Sequence, residues 1–369
     1  MDSIKREAAE SGLNVEKYGE RTMFETTRHD IEARESAYLS PEACRSARSA
    51  GRARPEPGDP YRTEFQRDRD RILHCKSLRR LAHKTQVFLA PEGDHYRTRL
   101  VHTLEVAQIA RSIARSLALN EDLTEAIALG HDLGHTPFGH CGEKALSAAM
   151  RSWRGRELGI DVQTELFQHN LQSARIVEVL ERDGQGLNLT HEVVDGIRNH
   201  TGDARAATAE GRLVALSDRI AYVVHDIDDA ERARLLSESD LPGEFTSVLG
   251  STSSERIETM VLDVIENSAQ AGDVVMSERV RAAMMGLRRF LFENLYTRGD
   301  AKHEEPKAAA MIFELFDHFI DHIDEVPDEY TVHDADHPDV QVADYVAGMT
   351  DRYAIRVFET LKIPRSWKR

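Results

Sequence analysis

The residues most suited to chemistry are an adjacent histidine and aspartate, His131 and Asp132, which follow an apolar run. At the rim of a hydrophobic core, an imidazole and a carboxylate both need a partner that offsets their loss of water. A divalent metal ion is one such partner. Hydrogen bonding to backbone groups at a helix end is the other. The pair by itself leaves both interpretations open, so further ligands must decide between them.

Two distant residues could complete a metal site with this pair. His102 lies near the start of a predicted helix, where a lone histidine is more often a core or capping residue than a ligand. Asp218 interrupts a strongly apolar helix, where an unpartnered carboxylate would have a raised pKa or cost on the order of several kcal/mol. Two imidazoles and two carboxylates suit Mn, Fe, Co, Ni, Zn or, less comfortably, Mg. Such a set leaves open positions for water and substrate oxygens.

The elements that position these residues are predicted to be helices. Apolar residues recur at three- and four-residue spacing in the segments 102–118, 122–133, 169–182, 190–200 and 211–235, and again in 254–268, 276–296, 304–323 and 338–361. Alternation with a period of two is nearly absent, apart from a short hairpin expected near residues 85–89. The sequence therefore predicts an all-α fold.

Three regions are expected along the chain: an N-terminal arm (1–58), a helical core (59–235) and a C-terminal helical region (236–369). The arm ends in a segment rich in proline and glycine, which cannot continue as a helix. We interpret the arginines of the arm as a solvated face, with subunit contact or anion binding as the alternatives. These arginines are Arg34, Arg45, Arg48, Arg52 and Arg54.

Composition narrows the class of protein. The chain has 369 residues, of which 40% are hydrophobic, so it is expected to fold around a substantial core. Its 64 acidic and 48 basic residues give a formal charge of -16, which argues against nonspecific nucleic-acid binding as its main task. The three cysteines lack paired spacing, which fits a reducing cytoplasm. A polar start and the lack of any run of about 18 apolar residues predict neither export nor membrane insertion.

Five stretches between about residues 60 and 230 form a specific set of motifs. They are Phe65-Gln-Arg-Asp-Arg-Asp-Arg-Ile-Leu-His74, Leu78-Arg-Arg-Leu-Ala-His-Lys-Thr-Gln-Val-Phe88, Arg97-Thr-Arg-Leu-Val-His102, Gly130-His-Asp-Leu-Gly-His-Thr-Pro-Phe-Gly-His140 and Asp218-Arg-Ile-Ala-Tyr222. Together they closely resemble the deoxyguanosinetriphosphate triphosphohydrolase family of the HD-domain phosphohydrolase superfamily. The resemblance implies an HD-domain helical core with additional C-terminal helices. It also implies cleavage of a deoxynucleoside triphosphate into deoxynucleoside and tripolyphosphate.

The resemblance assigns roles to individual residues. It makes His102, His131, Asp132 and Asp218 the ligands of a divalent metal ion. His140 and Glu143 stand three residues apart and could share a proton. Because the family's matching pair lies beside the scissile phosphate, we assign His140 to proton transfer and Glu143 to orienting or polarising it. The alternative for Glu143 is an acidic residue that the dipole favours at a helix N-terminus.

Binding of a triphosphate, with roughly four negative charges, requires localised cations in so acidic a chain. Arg99 lies three residues before His102 and is expected near the metal, as the family's matching arginine is. Lys84, Arg79 and Arg80 are weaker candidates, because a basic cluster beside an amphipathic helix commonly faces solvent.

Other candidate substrate contacts come from helical spacing and from the resemblance. Tyr222 and Asp226 follow Asp218 on one helical face, where Tyr222 could bond a phosphate and Asp226 could orient an arginine or the sugar. Gln86 matches a family position near the deoxyribose, where its amide could read the 3′-hydroxyl. His169 matches a family histidine near the phosphates, and a capping or core position is an equally good interpretation of it.

The remaining histidines and acidic residues receive structural interpretations. His135 is expected to hold a metal ligand or contact a phosphate rather than to bind the same ion. His191, His200 and His225 are predicted to cap or pack. The acidic run 226–229 is interpreted as a solvated helix face, with a second metal site as the minor alternative.

Two rival functions stay open at this point. The first is an HD phosphohydrolase that acts on a nucleoside monophosphate, a cyclic dinucleotide or an alarmone. The second is a nucleotide sensor or single-stranded DNA binding oligomer, with basic stretches at 45–54 and 67–80 as its contact surface. The resemblance also implies a homo-oligomer. Activation of the enzyme by a second, allosteric nucleotide is a further option. Arg219 follows Asp218 where the family often has an acidic residue, which leaves the preferred nucleotide open.

Overall fold

The structure is a computed structural model that describes residues 25–86, 97–159, 161–294, 301–332 and 337–364. The helices of these ranges are α1 (Arg28–Tyr38), α2 (Glu64–Leu73), α3 (Lys76–Arg80), α4 (Arg99–Ser116), α5 (Glu121–Gly130), α6 (Gly139–Leu158), α7 (His169–Arg175), α8 (His191–Arg198), α9 (Ala209–Arg232), α10 (Gly243–Leu249), α11 (Ser253–Ala271), α12 (Glu278–Asn294), α13 (Ala301–Asp321), α14 (Pro338–Gly348) and α15 (Asp351–Lys362). Short helical turns join several of them, and a π-helical turn at Ile176–Leu180 continues α7.

The all-α prediction is confirmed. Within the described ranges, β pairing is limited to two isolated bridges, one between Arg52 and Thr190 and one between Thr85 and Thr98. The second bridge lies at the start of the expected hairpin, whose residues from 87 onward are outside the described part of the chain. Among the described helices, none is long and apolar enough to cross a membrane.

Helix α5 is the centre of the first hydrophobic core. Its apolar run buries Leu123, Ile127 and Leu129 to 1% exposure or less, because α2, α4, α8 and α9 all pack around it. Complete burial of one such side chain contributes about 1.5–3 kcal/mol. The helix ends at Gly130, where a Cβ atom would overlap the side chain of Ile197. The residues that follow Gly130 therefore begin inside the core rather than at the surface.

The C-terminal helices complete two hydrophobic clusters. Met260 of α11 and Leu287 of α12 belong to the same cluster as the α5 core. The second cluster joins α6 to α13, α14 and α15 through residues such as Leu146 and Phe316. A helical core with additional C-terminal helices is therefore present, whereas the boundaries proposed at residues 58 and 235 stay predictions.

Capping residues explain where several helices start. Thr98 caps α4 by accepting a hydrogen bond from the backbone N–H of Val101, so α4 begins three residues earlier than its apolar pattern indicates. The predicted helix 338–361 is two helices, because the chain leaves the helix at Met349 and Thr350 caps α15. The 20-residue helix α6 was foreseen only as a possible start near His140.

The arginines of the N-terminal arm have different environments. Arg34 and Arg48 are exposed, as the interpretation of a solvated face requires. Arg52 differs, because its side chain is only 4% exposed and pairs with Asp68 and, at 2.6 Å, with Glu64. This arginine therefore ties the arm to α2.

Candidate metal centre and active-site cavity

The first turn of α4 carries two buried site residues. The Thr98 cap fixes the start of the helix, which places Arg99 and His102 on adjacent turns facing the core. They are 2% and 1% exposed, respectively. A buried guanidinium and a buried imidazole both require polar partners. Arg99 Nη1 finds one in Asp132 Oδ2 at 2.8 Å, and His102 Nε2 finds one in Asp218 Oδ1 at 2.9 Å.

His131 continues the axis of α5 as its last, capping residue. Its Nδ1 lies 2.6 Å from the carbonyl oxygen of Ala128, which orients the ring and leaves Nε2 as the atom that faces the site. This Nε2 is buried and has no hydrogen-bond partner among the described residues. A buried ring nitrogen without a hydrogen-bond partner needs an explanation, and a cation bound to it would provide one.

The four predicted metal ligands lie together. His102, His131 and Asp132 can each present one donor atom within 4.8 Å of the others. Asp218, from the middle of α9, joins them because its Oδ1 lies 3.7 Å from His131 Nε2. The resulting set of two nitrogens and two carboxylates fits a divalent ion of the Mn to Zn series.

Both aspartates of this set are held in the charged form. Burial alone would raise the pKa of Asp218, but the hydrogen bond with His102 and the neighbouring histidines hold it well below its usual range. Burial acts on Asp132 in the same direction, and there His135, His131 and Arg99 lower the pKa well below its ordinary value. Both side chains are therefore carboxylates at neutral pH, as metal ligation requires.

His135 lies next to the ligand set. Its Nε2 is 3.2 Å from Asp132 Oδ1, and its ring stacks on His169 with the centroids 4.0 Å apart. Burial, together with the charges of Arg99 and His169, keeps the pKa of His135 well below its usual value. Through this contact with Asp132, His135 would hold a metal ligand, a role that stays a prediction.

A second group forms where α6 begins. Glu143 Oε2 lies 3.1 Å from His140 Nδ1, and Glu143 Oε1 lies 3.0 Å from His169 Nδ1. The backbone N–H of His169 also donates to Glu143 Oε1 at 2.8 Å. Burial would raise the pKa of Glu143, but His140 and His169 hold it well below its usual range. A carboxylate between two imidazoles can orient both of them for proton transfer.

The start of α6 depends on a contact distant in sequence. Phe138 has a positive φ of 62°, an uncommon conformation for a bulky residue. Its backbone N–H donates to Asp351 Oδ1 at 3.1 Å, while Asp351 Oδ2 accepts from Thr85. Asp351 therefore stabilises the turn at Phe138, and this turn positions His140 at the start of α6.

One cavity of about 410 Å³ is lined by residues of both groups, although His131 and Glu143 are not among them. It is lined by predicted site residues, which are Gln86, Arg99, His102, Asp132, His140, His169, Asp218 and Tyr222. It is also lined by residues that the sequence did not indicate, which are His200, Thr201, Gly202, Asp203, Met285 and Arg288. Arg288 is exposed on α12 and adds a cation at the cavity wall. No spacing or composition signal marked this helix as part of the site.

Two of the predicted substrate contacts do not line this cavity. Lys84 is 2% exposed, and its Nζ binds the carbonyl oxygens of His135 and, at 2.7 Å, Ala347. Asp226 is fully buried on α9. Their proposed roles in substrate binding stay predictions, and the observed contacts of Lys84 support the backbone of the metal-site turn instead.

Replacing Lys84 with Met should change how stability depends on pH. Burial lowers the pKa of Lys84 from 10.5 to about 7, and Arg80 adds to the effect. Between these values the unfolded chain holds a proton that the folded chain releases, so the free energy of unfolding rises with pH. We expect urea denaturation at pH 7, 8 and 9 to show a steeper rise for the wild type than for the Lys84→Met protein. Equal slopes would contradict the burial argument.

The acidic run 226–229 is not a solvated face. Asp229 is 2% exposed, and Arg97 Nη1 lies 3.2 Å from its Oδ1. Arg97 Nη2 also lies 3.5 Å from Asp228 Oδ2. Among the described residues, the groups able to hold a metal ion do not include this run.

A second cavity, of about 610 Å³, lies at the junction of α14 and α15. Three arginines line it together with three tyrosines, and these residues are Arg80, Arg352, Arg356, Tyr330, Tyr345 and Tyr353. The guanidinium of Arg356 lies over the Tyr353 ring at 5.3 Å. The cavity combines these positive charges and aromatic rings with the carboxylate of Glu329, which also lines it.

The class of protein follows from the fold and the site together. An all-helical core that joins a histidine, a His-Asp pair and a distant aspartate defines an HD domain, and the family model described as HD domain matches residues 99–223. A second model, described as phosphohydrolase-associated domain, matches residues 274–360.

Similar curated proteins define the family more narrowly. A protein from Caldanaerobacter subterraneus subsp. tengcongensis named deoxyguanosinetriphosphate triphosphohydrolase-like protein is 52% identical over 92% of this chain and 97% of its own length. A protein of the same name from Desulfatibacillum aliphaticivorans is 45% identical over 92% of this chain and 99% of its own. The chain therefore belongs to the deoxyguanosinetriphosphate triphosphohydrolase-like family of HD-domain proteins.

Proposed function

We propose that this protein is a metal-dependent triphosphohydrolase that cleaves a deoxynucleoside triphosphate into deoxynucleoside and tripolyphosphate. The observation that carries the proposal is one cavity that His102, Asp132 and Asp218 line together with Arg99 and His140, with His131 buried against Asp218. The names of the similar curated proteins support the same class of substrate.

The ligand set supplies the site for the metal ion. When bound there, a divalent ion polarises a phosphoryl oxygen and activates water for attack on phosphorus. The protein's contribution is to hold the ligands in fixed orientations. Ala128 orients His131 through its carbonyl oxygen, and Arg99 orients Asp132 through its guanidinium.

Arg99 binds the negative charge of the triphosphate. Its Nη1 is engaged by Asp132, whereas its Nε is buried without a hydrogen-bond partner among the described residues. Its Nη2 lies against Gly139, where a Cβ atom would approach to 2.9 Å. The guanidinium thus lies between the metal ligands and the turn that carries His140, and its remaining N–H groups are directed at phosphate oxygens.

Tyr222 and Gln86 line the same cavity and provide neutral hydrogen-bonding groups. The Tyr222 hydroxyl donates to a phosphate oxygen, and the Gln86 amide reads the 3′-hydroxyl of the deoxyribose. Gln86 Oε1 is buried without a hydrogen-bond partner in the described part of the chain. An acceptor in that state gains a bond when a sugar hydroxyl reaches it.

His140 protonates the leaving 5′-oxygen of the deoxynucleoside. Its Nδ1 faces the Glu143 carboxylate, so Nε2 is the nitrogen left for exchange with substrate. Its side chain is 56% exposed, which leaves it accessible from the cavity. Glu143 orients His140 and stabilises its protonated form.

The test is to incubate the purified protein with Mn²⁺ or Mg²⁺ and each of the four deoxynucleoside triphosphates. Ion chromatography should detect tripolyphosphate and deoxynucleoside in equal amounts. Release of pyrophosphate or of single phosphate groups would assign the site to another phosphohydrolase reaction. The relative rates measure the preference for the base.

The second cavity is a candidate position for the predicted allosteric nucleotide. Its Arg80, Arg352 and Arg356 would bind phosphate charge, and its tyrosines would offer stacking surfaces for a base. Assembly into a homo-oligomer, binding of single-stranded DNA and a cytoplasmic location stay predictions.

A further inference from the structure

Asp351 is a buried carboxylate that the C-terminal region contributes next to the active site. It lies in the first turn of α15, is 3% exposed and belongs to the range 274–360 that matches the phosphohydrolase-associated model. Its Oδ2 accepts hydrogen bonds from the Thr85 N–H at 3.0 Å and from the Thr85 hydroxyl at 2.6 Å. Its Oδ1 accepts from the Phe138 N–H at 3.1 Å. One carboxylate therefore joins two segments that are distant in the sequence.

Both segments lead directly into the active-site cavity. Gln86 follows Thr85, and it lines the cavity. His140 follows Phe138 by two positions and lines the same cavity. We infer that Asp351 is a positioning residue that holds the Gln86 segment and the His140 turn at a fixed separation.

The inference deepens the proposed triphosphohydrolase reaction and rests on it. In that reaction Gln86 contacts the 3′-hydroxyl and His140 contacts the leaving 5′-oxygen. These two oxygens belong to one deoxyribose ring, so the distance between them varies little. The two side chains must therefore be held at a matching separation, and misplacement of either one costs rate. A residue that binds both segments can set this separation.

The His140 turn has a conformation that requires support. Phe138 and Gly139 have consecutive positive φ angles of 62° and 58°. This region is costly for a bulky residue such as Phe138. A hydrogen bond to a charged acceptor is one of the stronger single contacts in a protein, so the contact with Asp351 offsets that cost. Helix α6 begins at Gly139, and the direction of His140 follows from this turn.

The Gln86 segment is adjacent to the same turn. Thr85 pairs with Thr98 in an isolated bridge, which ties the segment to the residue that caps α4. A Cβ atom on Gly139 would lie 2.9 Å from Arg99 Nη2 and 3.7 Å from the backbone oxygen of Gln86. The contacts of Asp351 therefore close a small assembly of the segment, the turn and the start of α4.

The chemistry of the contacts calls for a carboxylate. An ionised carboxylate accepts hydrogen bonds at both oxygens, whereas the amide of an asparagine accepts at one and donates at the other. Asp351→Asn therefore keeps the size of the side chain but releases either Thr85 or Phe138. Helix α15 also packs through Ala354 and Phe358 in the second hydrophobic cluster, so this variant is expected to fold.

The kinetic test compares substrates with and without a 3′-hydroxyl. We expect Asp351→Asn to lower kcat for a deoxynucleoside triphosphate by about 10²-fold. The preference for this substrate over the 2′,3′-dideoxynucleoside triphosphate, measured as a ratio of kcat/KM values, should also fall. Thr85→Val is a milder second variant that removes only the hydroxyl contact and should reduce the preference more than kcat.

Asp339→Asn is the matched control. Asp339 is another buried aspartate of the C-terminal region, is 2% exposed and lies in the first turn of α14. It accepts a hydrogen bond from Arg154 Nε at 2.6 Å and does not line the cavity. This variant should keep both kcat and the preference for the 3′-hydroxyl, even where its stability falls. Circular dichroism checks that each variant is folded.

A double variant separates positioning from a general effect on the fold. Because Asp351 acts on the step that His140 performs, adding Asp351→Asn to His140→Gln should lower kcat little further. A general effect on the fold would lower kcat by the same factor in both backgrounds. That result would overturn the inference.

Hydrogen exchange followed by mass spectrometry tests the contacts without any substrate. Peptides that cover residues 84–86 and 136–140 should exchange faster in Asp351→Asn than in the wild type, and at the wild-type rate in Asp339→Asn. Unchanged exchange or the wild-type kcat in folded Asp351→Asn would overturn the inference. A wild type that forms no tripolyphosphate would reject the proposed function alone, because the exchange rates still decide whether Asp351 holds both segments.

Discussion

An Asp132→Asn protein is expected to lose hydrolysis of deoxynucleoside triphosphates by on the order of 10³-fold and to bind less metal. A carboxamide of the same size keeps the packing but removes the charge that Arg99, His131 and the metal ion share. Loss of about 4 kcal/mol of metal-based stabilisation of the transition state corresponds to this factor. Initial rates with a saturating substrate and elemental analysis of the same samples measure both effects.

Asp317→Asn is a matched control for this substitution. Asp317 is on α13, pairs with Arg156 at 3.0 Å and lies outside the cavity. Because an exposed ion pair contributes roughly 0–1 kcal/mol, this variant should keep the wild-type activity and metal content. Wild-type activity of Asp132→Asn after removal of metal with a chelator would show that the ligand set has no role in the reaction.

His140→Gln is expected to reduce kcat by about 10²–10⁴-fold while leaving the metal content unchanged. Glutamine retains a hydrogen-bonding side chain but cannot transfer a proton to the leaving oxygen at neutral pH. His140 contacts Glu143 and is not one of the four residues proposed to bind the metal ion. A lower kcat with an unchanged metal content would indicate that His140 transfers a proton and does not bind the metal ion.

His191→Gln serves as the control for a histidine substitution. His191 is exposed at the start of α8 and does not line the cavity, so its replacement should leave kcat unchanged. A His140→Gln protein with the wild-type kcat would remove this residue from the chemistry. Loss of the bound metal ion from His140→Gln would instead indicate that His140 is a metal ligand.

The helical core could be predicted because its signals are local. The apolar run of α5 and the polar pair that follows it are visible within a few residues, and burial of Leu123 and Ile127 follows from the 3.6-residue period. The four predicted metal ligands lie together because α4, α5 and α9 pack on one another. The structure thus brings together the four residues that the sequence interpretation and the resemblance grouped, whereas their role as metal ligands stays a prediction.

The remaining part of the site depends on contacts that spacing does not encode. Asp351 holds the Phe138 turn although it lies 213 residues away. Arg288 reaches the cavity from α12, whose sequence pattern indicated only an amphipathic helix. His200 was interpreted as a packing residue because its contact with the Ile197 carbonyl exists only once α8 has ended. Tertiary packing, not local propensity, positions these residues.

Lys84 is a basic residue whose position the sequence pattern did not predict. The basic cluster suggested a surface group, yet the Lys84 amino group lies between two carbonyl oxygens inside the protein. Arg80, four residues earlier, lines the second cavity instead of the first. The local sequence pattern did not show which part of the protein would cover each of these residues.

Hydrolysis in H₂¹⁸O with a divalent metal ion and each deoxynucleoside triphosphate tests the central proposal most directly. Attack of water at the α-phosphorus should place one ¹⁸O atom in the tripolyphosphate and none in the deoxynucleoside, as mass spectrometry of both products would show. Label in the deoxynucleoside, or release of labelled phosphate or pyrophosphate in place of tripolyphosphate, would contradict the proposed reaction.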